Sequence, residues 1–435
     1  MNPIAKELNA VIEAGNPYLF EMLSDIGKKL FFPKGILSQS AEAKEKAHTI
    51  NATIGIAKEG DGIMHFPSVM RLIDGLTPEE SLTYAPSFGI PALRKQWQAE
   101  LRVKNPGLAG KEFSLPVVTC GITHAISIFA DVWTNPGDTV LLPDMMWGNY
   151  NMILSVRKGV TIAHFPLFND QGGFNLDGFE AKARELAQQN GKLIVLLNFP
   201  QNPTGYSATE KEGQALADIL TGIAEGGTNV IVVCDDAYFG LFYEDDVMKE
   251  SLFARICGRH PRLLPIKLDG ATKENYVWGL RVGFITYGCT ADNNLAGIFD
   301  ALEKKTAGCI RGNISNASHL SQTITLKSLQ SEAYQAEKKE KFEILQRRAA
   351  RVKKVVHDPK YAGAWDVYPF NSGYFMCIRM KTVNAEKLRV HLLDKYGVGL
   401  ISIGDHDLRV AFSCIREKDV ELLFDTILKG VGDIS

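Results

Sequence analysis

Polar side chains capable of covalent and acid–base chemistry follow several short apolar segments of this chain. Taken singly, each has a common structural explanation: a loop lysine is usually solvated, a strand-end aspartate often caps a helix, and Asn-Pro-Thr-Gly often forms a turn. The carboxyl ends of parallel strands meet at one edge of a sheet, so side chains there can act on one ligand. These residues are Asn202 after segment 192–198, Asp235 at the end of 229–235 with Tyr238 after it, Lys273 after 263–268, and the glycine turn Gly121, Ile122 and Thr123 after 117–120.

Together these residues have one chemical interpretation, an aldehyde cofactor that carries a pyridine ring and a phosphate. Lys273 is the amine expected to form a Schiff base with the aldehyde. Asp235 is expected to keep the ring nitrogen protonated, and Asn202 and Tyr238 to hydrogen-bond the ring oxygen. The backbone N–H groups of the glycine turn and the guanidinium of Arg281 are expected to bind the phosphate.

The elements that must position these side chains alternate between short apolar runs and helical stretches. Continuous apolar strands alternating with helices indicate a mostly parallel sheet covered on both faces, which predicts an α/β fold. One of the helices is predicted over 177–191, with Asp177 as N-cap and Gly191 as C-cap. The predicted strands are 117–120, 138–143, 160–167, 192–198, 229–235, 263–268 and 282–287.

The two ends of the chain have a different organisation. The first 48 residues are predicted to be helical with a break at 31–33, and a charged helix is predicted over about 317–353. Shorter strands at 372–380 and 407–415 favour a second, smaller α+β domain. The predicted division is an N-terminal segment 1–61 that packs with the small domain, a large cofactor-binding domain 62–327 and a small C-terminal domain 328–435.

Composition excludes several classes of function. The chain has 435 residues, 23% of them charged, with a net charge of −2, and carries no basic stripe for nucleic acid. It contains no uncharged apolar run of about 20 residues, so no membrane span is predicted. The seven cysteines form no C-x-x-C pair and no ligand cluster with histidine. We therefore expect a cytoplasmic protein without a metal site.

The motifs occur in an order that resembles a known family. N-P-T-G at 202–205 is followed by D-x-A-Y-x-G at 235–240, and then by Lys273 with Arg281 eight residues later. In this combination the chain resembles pyridoxal-phosphate-dependent aminotransferases of fold type I, class I/II. The resemblance covers nearly the whole chain. It implies a homodimer with shared active sites, an amino acid and a 2-oxo acid as substrates, and pyridoxal 5'-phosphate as cofactor.

Further segments resemble the aspartate aminotransferase branch and imply roles for five more residues. The resemblance places Gly55 on the substrate side of the site and Trp147 over the cofactor ring. It sends Tyr84 to the phosphate of the neighbouring subunit. It assigns Arg409 to the substrate α-carboxylate and Arg311, from the partner subunit, to a distal carboxylate. An acidic substrate, aspartate or glutamate, is therefore expected. The matching segments are 51–62, 83–94, 147–150, 310–316 and 408–413.

Three positions depart from the family pattern. Gly270 stands where a phosphate-binding Ser or Thr is usual, and Thr272 is expected to compensate. Tyr150 replaces a histidine, and Gly312 replaces a proline. These departures leave open an aromatic or other amino-acid substrate, or a lyase-type reaction with the same cofactor. A non-catalytic cofactor-binding regulator is a more distant alternative, because no basic helix-turn-helix domain precedes the motifs.

Overall fold

The computed structural model describes residues 1–32 and 35–435, so Pro33 of the predicted break at 31–33 lies outside the described residues. The helices are α1 Pro3–Gly15, α2 Pro17–Met22, α3 Asp25–Lys29, α4 Ile36–Lys46, α5 Pro67–Leu72, α6 Pro78–Ser81, α7 Pro91–Lys104, α8 Gly121–Trp133, α9 Leu176–Asn190, α10 Glu210–Glu225, α11 Leu252–Ile256, α12 Ala271–Glu274, α13 Leu295–Asn313, α14 His319–Leu329, α15 Tyr334–Val356, α16 Ala385–Tyr396 and α17 Val420–Ile434. The strands are β1 Ile50–Asn51, β2 Lys58–Glu59, β3 Gly62–Ile63, β4 Val117–Thr119, β5 Thr139–Pro143, β6 Thr161–Phe165, β7 Lys192–Asn198, β8 Asn229–Asp235, β9 Leu263–Gly270, β10 Gly283–Tyr287, β11 Trp365–Val367, β12 Phe375–Met380, β13 Val398–Gly399, β14 Ile401–Ile403 and β15 Asp407–Ala411.

A seven-stranded sheet with the order β4-β10-β9-β8-β7-β5-β6 forms the centre of the fold. Neighbours from β9 to β6 are parallel, whereas β10 is antiparallel to both β4 and β9. The predicted mostly parallel sheet is therefore confirmed. Both faces are buried: Val140 and Leu142 enter one core and Leu141 enters the other. This explains why the strands are continuously apolar, since successive side chains point to opposite faces.

The strand ends bring distant parts of the sequence to one edge of this sheet. In the register of β7 with β8, Asn198 lies beside Asp235. The next strand, β9, ends at Gly270 and leads directly into the single turn α12, which carries Lys273. On the far side, β4 ends at Thr119 and α8 begins at Gly121.

A second, antiparallel sheet has the order β11-β12-β15-β14 and carries Arg409 on β15. The N-terminal segment reaches this part of the chain, because β1 pairs in parallel with β13, Ile50 opposite Val398. Ile50 also shares a core with Trp365 and Phe424. We propose on this contact that segment 1–61 packs with the small domain, and the boundaries at 62–327 and 328–435 stay predictions.

Several local predictions need correction. The N-cap of α9 is Asn175 rather than Asp177, because the Asn175 side chain accepts the N–H of Gly178 and the helix already begins at Leu176. Gly191 ends this helix in the left-handed region as predicted. The helix predicted over 317–353 is two helices, α14 and α15, and β9 extends two residues beyond the predicted 263–268.

Candidate active site

A cavity of about 190 Å³ lies at the carboxyl edge of the central sheet. Most of the residues singled out in the sequence line it, although they come from distant parts of the chain. Tyr84, Gly121 and Arg311 are not part of its wall. The lining residues are Gly55, Ile122, Thr123, Trp147, Tyr150, Asn198, Asn202, Asp235, Ala237, Tyr238, Thr272, Lys273, Arg281, Phe375 and Arg409.

The Lys273 amine faces this cavity and is electrostatically unusual. Its Nζ donates a hydrogen bond to the carbonyl oxygen of Gly55 at 3.0 Å and lies 5.2 Å from the centre of the Tyr238 ring. Burial, together with the positive charges of Arg281 and Arg409, lowers the pKa of Lys273 to about 7. A large fraction of this amine is therefore neutral near pH 7, which a nucleophile or general base requires.

Asp235 is a buried carboxylate with two hydrogen-bond donors. The backbone N–H of Ala237 donates to Oδ1 at 3.1 Å, and the hydroxyl of Tyr150 donates to Oδ2 at 2.5 Å. Burial raises the pKa of Asp235 to about 6 even though both hydrogen bonds favour its ionised form. A cationic ring nitrogen beside it would restore full ionisation, so the group fits a protonated heterocycle.

Asn198 and Asn202 connect the two strand ends. The Asn198 side chain donates to the carbonyl oxygen of Asp235 at 2.7 Å and accepts the N–H of Asn202 at 2.8 Å. The turn that carries Asn202 is thereby held against the end of β8. The sequence analysis did not single out Asn198. An amide residue at the end of an otherwise apolar strand could have indicated it.

The glycine turn and Arg281 form a cradle suited to an anion. Gly121 has a φ of 75°, and a Cβ on it would lie 2.6 Å from Nη2 of Arg281, so the guanidinium approaches the bare α-carbon. Helix α8 begins at this residue and presents its free N–H groups. The hydroxyl of Thr272 is buried and has no hydrogen-bond partner in the described part of the chain. A phosphate group would satisfy all of these donors.

Gly270 cannot carry the hydroxyl that the family pattern suggests. It pairs with Gly283 between β9 and β10, and a Cβ on Gly270 would lie 2.6 Å from the carbonyl oxygen of Val282. The neighbouring strand therefore excludes a side chain here. The free hydroxyl of Thr272 supports the expected compensation.

Arg409 provides a second cationic end of the cavity. It donates to Oδ1 of Asn202 at 3.1 Å and to the carbonyl oxygen of Thr53 at 2.8 Å, and its guanidinium lies 4.2 Å from the centre of the Phe375 ring. The side chain is buried, and no carboxylate pairs with it among residues 1–32 and 35–435. A buried cation without a counter-ion fits an anionic substrate group. Nothing in the sequence indicated Phe375, because its place depends on how the small sheet packs.

Tyr84 and Arg311 are exposed residues of two segments that contact each other, and neither lines the cavity of this chain. The Tyr84 side chain is 90% exposed, and Arg311 donates to the Ser315 hydroxyl at 2.6 Å. The segments are joined where the Ser87 hydroxyl donates to the carbonyl oxygen of Ser315 at 2.7 Å. Both residues are therefore available to another molecule.

Metal-ligand groups and membrane-spanning helices are both lacking in the described residues. Within 1–32 and 35–435, no three His, Cys, Asp or Glu side chains are grouped so as to hold a metal ion. No helix in this part of the chain combines the length and the apolar character that a membrane span needs.

Known proteins resemble this chain in sequence and in fold. An aspartate aminotransferase of Geobacillus stearothermophilus is 26% identical over 259 residues, which is 58% of this chain and 60% of that relative. The chain thus spans less than two thirds of the length of this relative. The fold matches an aminotransferase of Anaerococcus prevotii with a TM-score of 0.83 and 23% identity, over 93% of this chain and 98% of that one.

A kynurenine aminotransferase of Pyrococcus horikoshii, solved in complex with PMP, matches with a TM-score of 0.77 and 17% identity over 97% of this chain and 98% of that one. At these identities the structural likenesses show the fold alone. That fold is the predicted fold type I of pyridoxal-phosphate-dependent transferases. Residues 48–427 match the family described as Aminotransferase class I and II, and the chain belongs to that family.

Proposed function

We propose that this protein is an aminotransferase that uses pyridoxal 5'-phosphate to move an amino group between an amino acid and a 2-oxo acid. One observation carries the proposal. The Lys273 amine, with its pKa near 7, shares a cavity with the Asp235 carboxylate and with the Arg409 guanidinium. The unpaired hydroxyl of Thr272 and the close approach of Arg281 to Gly121 fit the cofactor phosphate.

Each residue has a defined task in this proposal. Bound pyridoxal phosphate supplies an aldehyde and an electron-withdrawing ring. Asp235 would hold a proton at the ring nitrogen, and Trp147 would offer a flat apolar face to the ring. Asn202 and Tyr238 lie in the same wall and would hydrogen-bond the ring oxygen. Ile122 and Thr123 of the glycine turn would bind the phosphate with Arg281.

Lys273 and Arg409 act on the substrate. Arg409 binds the α-carboxylate, which orients the amino acid with its α-carbon toward the Lys273 amine. Lys273 would take the proton from the α-carbon and pass it to the cofactor carbon that receives the amino group, and it would carry a proton the opposite way when the second substrate reacts, as a base with a pKa near the working pH can do. Gly55, whose carbonyl oxygen accepts from Lys273, has no side chain on the cavity, where a Cβ would lie 3.3 Å from Phe375 and 3.7 Å from Nζ of Lys273.

Lys273→Ala tests the activity. The wild-type protein loaded with cofactor should absorb visible light, lose that band when an amino donor is added, and release a 2-oxo acid. Lys273→Ala should do none of these at the wild-type rate, whereas Lys339→Ala, a change at an exposed lysine, should behave as wild type. Release of carbon dioxide, or of free ammonia together with the 2-oxo acid, would indicate a lyase-type reaction. Turnover by Lys273→Ala at the wild-type rate would refute the assignment.

For the substrate class we propose an acidic amino acid, aspartate or glutamate. The support is the exposed guanidinium of Arg311 beside the Tyr84 segment, and relatives named aspartate aminotransferase. An aromatic substrate is the second candidate, because Trp147, Tyr238 and Phe375 line the cavity. Arg311→Ala should lower kcat/KM far more for acidic donors than for aromatic donors. Equal losses for both would favour the second candidate.

We further propose a homodimer in which Tyr84 and Arg311 complete the site of the partner subunit. Exposed apolar side chains of Leu82 and Ile73, near this surface in the sequence, suit such an interface. Mixing Lys273→Ala with Arg311→Ala tests it: a dimer with one subunit of each kind has one intact site, so activity with acidic donors should return. Failure of mixed dimers to recover activity would contradict the sharing. The cytoplasmic location stays a prediction.

A further inference from the structure

The residue that follows Lys273 is a buried carboxylate that accepts hydrogen bonds from two lysines. Glu274 is 5% exposed. It accepts a hydrogen bond from Nζ of Lys104 at 2.8 Å and a second one from Nζ of Lys338. Lys104 lies at the end of α7 and Lys338 near the start of α15, so two helices far apart in sequence meet at this one side chain.

The charges around Glu274 are strong enough to keep it ionised. Burial opposes the charge, but the two lysines more than offset it and hold the pKa of Glu274 at about 2. Breaking a buried pair leaves an uncompensated charge, so such a contact strongly restricts where its members can move. Glu274 is the last residue of α12, a turn of four residues that has little helical stability of its own.

Further contacts hold the same turn. The hydroxyl of Tyr374 donates to the carbonyl oxygen of Lys273 at 3.0 Å, and the hydroxyl of Tyr334 donates to Oδ1 of Asn275 at 3.0 Å. Tyr334, like Lys338, belongs to α15. The two residues that follow Lys273 are therefore tied to that helix, through Lys338 and Tyr334.

Helix α15 also holds the other partner of the Lys273 amine. The amine donates to the carbonyl oxygen of Gly55, and the segment after Gly55 is bound by the buried guanidinium of Arg348, which donates to the carbonyl oxygen of Lys58 at 3.0 Å. Lys341 pairs with Glu59 at 2.9 Å. One helix thus positions both the donor and the acceptor of the Lys273–Gly55 contact.

We propose that Glu274, held by Lys104 and Lys338, is a positioning residue for Lys273: it keeps the turn α12 in the place where the Lys273 amine is shielded from water and directed at Gly55. This inference rests on the proposed function for its catalytic meaning. Glu274, Lys104 and Lys338 are not part of the cavity wall. Glu274 therefore acts through the backbone of Lys273 and not on the substrate.

The apparent pKa of Lys273 in the cofactor-free protein provides the test. The protein is treated with acetic anhydride over a range of pH, and acetylation of Lys273 is compared with that of exposed Lys339 by mass spectrometry. Loss of a nearby negative charge alone would lower the pKa of an amine. If the turn is no longer held in place, the Lys273 amine becomes exposed to water and its pKa rises. Glu274→Gln should therefore shift the midpoint of Lys273 acetylation upward from near 7 by about one unit.

A control is Glu303→Gln, which removes a half-buried carboxylate paired with Arg94 away from the cavity. Its midpoint should equal that of wild type. An unchanged or lowered midpoint in Glu274→Gln would overturn the proposal. Neither cofactor nor turnover is needed, so this result is independent of the Lys273→Ala test of the reaction.

If Glu274→Gln does not fold, Lys338→Met tests the positioning role instead. This variant keeps the ion pair between Glu274 and Lys104, so the buried carboxylate retains a partner. In the cofactor-loaded enzyme, the rate constant of the reaction with amino donor should fall by about 10- to 100-fold, since a small misplacement of a reacting group has an effect of this size. KM for the donor should not change, because Arg409 is untouched. A wild-type rate constant, or a loss confined to KM, would overturn the proposal.

Discussion

The hydroxyl of Tyr150 donates to Oδ2 of Asp235 at 2.5 Å, and both side chains are almost completely buried. Tyr150 stands where the family pattern has a histidine. A phenol is neutral at physiological pH, and burial beside a carboxylate raises the pKa of Tyr150 far above its usual range. The hydroxyl therefore stays a permanent donor to Asp235 and does not titrate as an imidazole would.

Removing the Tyr150 hydroxyl should weaken the interaction of Asp235 with the ring nitrogen of the cofactor. In Tyr150→Phe the pKa of Asp235 should rise above about 6, because the hydrogen bond from Tyr150 opposes the effect of burial. A hydrogen bond to a charged group contributes about 1.5–3 kcal/mol, so the Kd for pyridoxal phosphate should increase by about 10- to 100-fold. Absorbance titration of the cofactor-free variant measures it. Tyr206→Phe removes a phenol bonded to Glu212 outside the cavity wall and should leave the Kd unchanged.

Thr272→Val should have opposite effects on the free and the loaded protein. The Thr272 hydroxyl is buried without a partner, so its removal should leave the free energy of unfolding of the cofactor-free protein unchanged or raise it by up to about 1–3 kcal/mol. The same change should weaken cofactor binding, because the phosphate loses a donor. Thr286→Val, at another buried hydroxyl without a partner in the described residues, should stabilise without weakening binding. Equal cofactor affinity in both variants would show that Thr272 is not a phosphate ligand.

Restoring the family's hydroxyl at position 270 should harm the protein. A side chain there meets the carbonyl oxygen of Val282 at 2.6 Å, so Gly270→Ser should lower the free energy of unfolding by about 1–3 kcal/mol. Cofactor affinity should not improve. Gly279→Ser, at a position with open space around its α-carbon, is the control for denaturant unfolding. Tighter cofactor binding by Gly270→Ser would mean that β10 yields more easily than its contacts indicate.

Lys273 should make the stability of the cofactor-free protein depend on pH. Its pKa is near 7 when folded, against an ordinary value of 10.5, so between these values the unfolded chain binds more protons than the folded chain. The free energy of unfolding should therefore rise with pH across this window, by up to about 1.4 kcal/mol per unit, and Lys273→Met should lose this part of the slope. Urea unfolding at several pH values measures the difference between the two proteins. Lys339→Met, at an exposed residue, should keep the wild-type slope; equal slopes in Lys273→Met and wild type would contradict the lowered pKa.

Sequence patterns were sufficient for the fold class, and most of the residues that they singled out line one cavity. Apolar runs predicted the strands of the central sheet within a few residues, because burial on both faces requires continuous apolar side chains. The predictions of helix ends were less accurate: Asp177 was predicted as the N-cap of α9, whereas the cap is Asn175. Either side chain can cap a helix, and only the backbone decides which one does.

The sequence by itself determined which residue types follow which strands, and on that basis it predicted that Lys273, Asp235 and Asn202 take part in one reaction. The tertiary structure alone decided which groups modify them. Tyr150 meets Asp235, Lys338 meets Glu274, and Val282 excludes a side chain at Gly270, through contacts between residues far apart in the chain. Local patterns record burial and turn chemistry, whereas the pKa of a buried group depends on what packs against it from other elements.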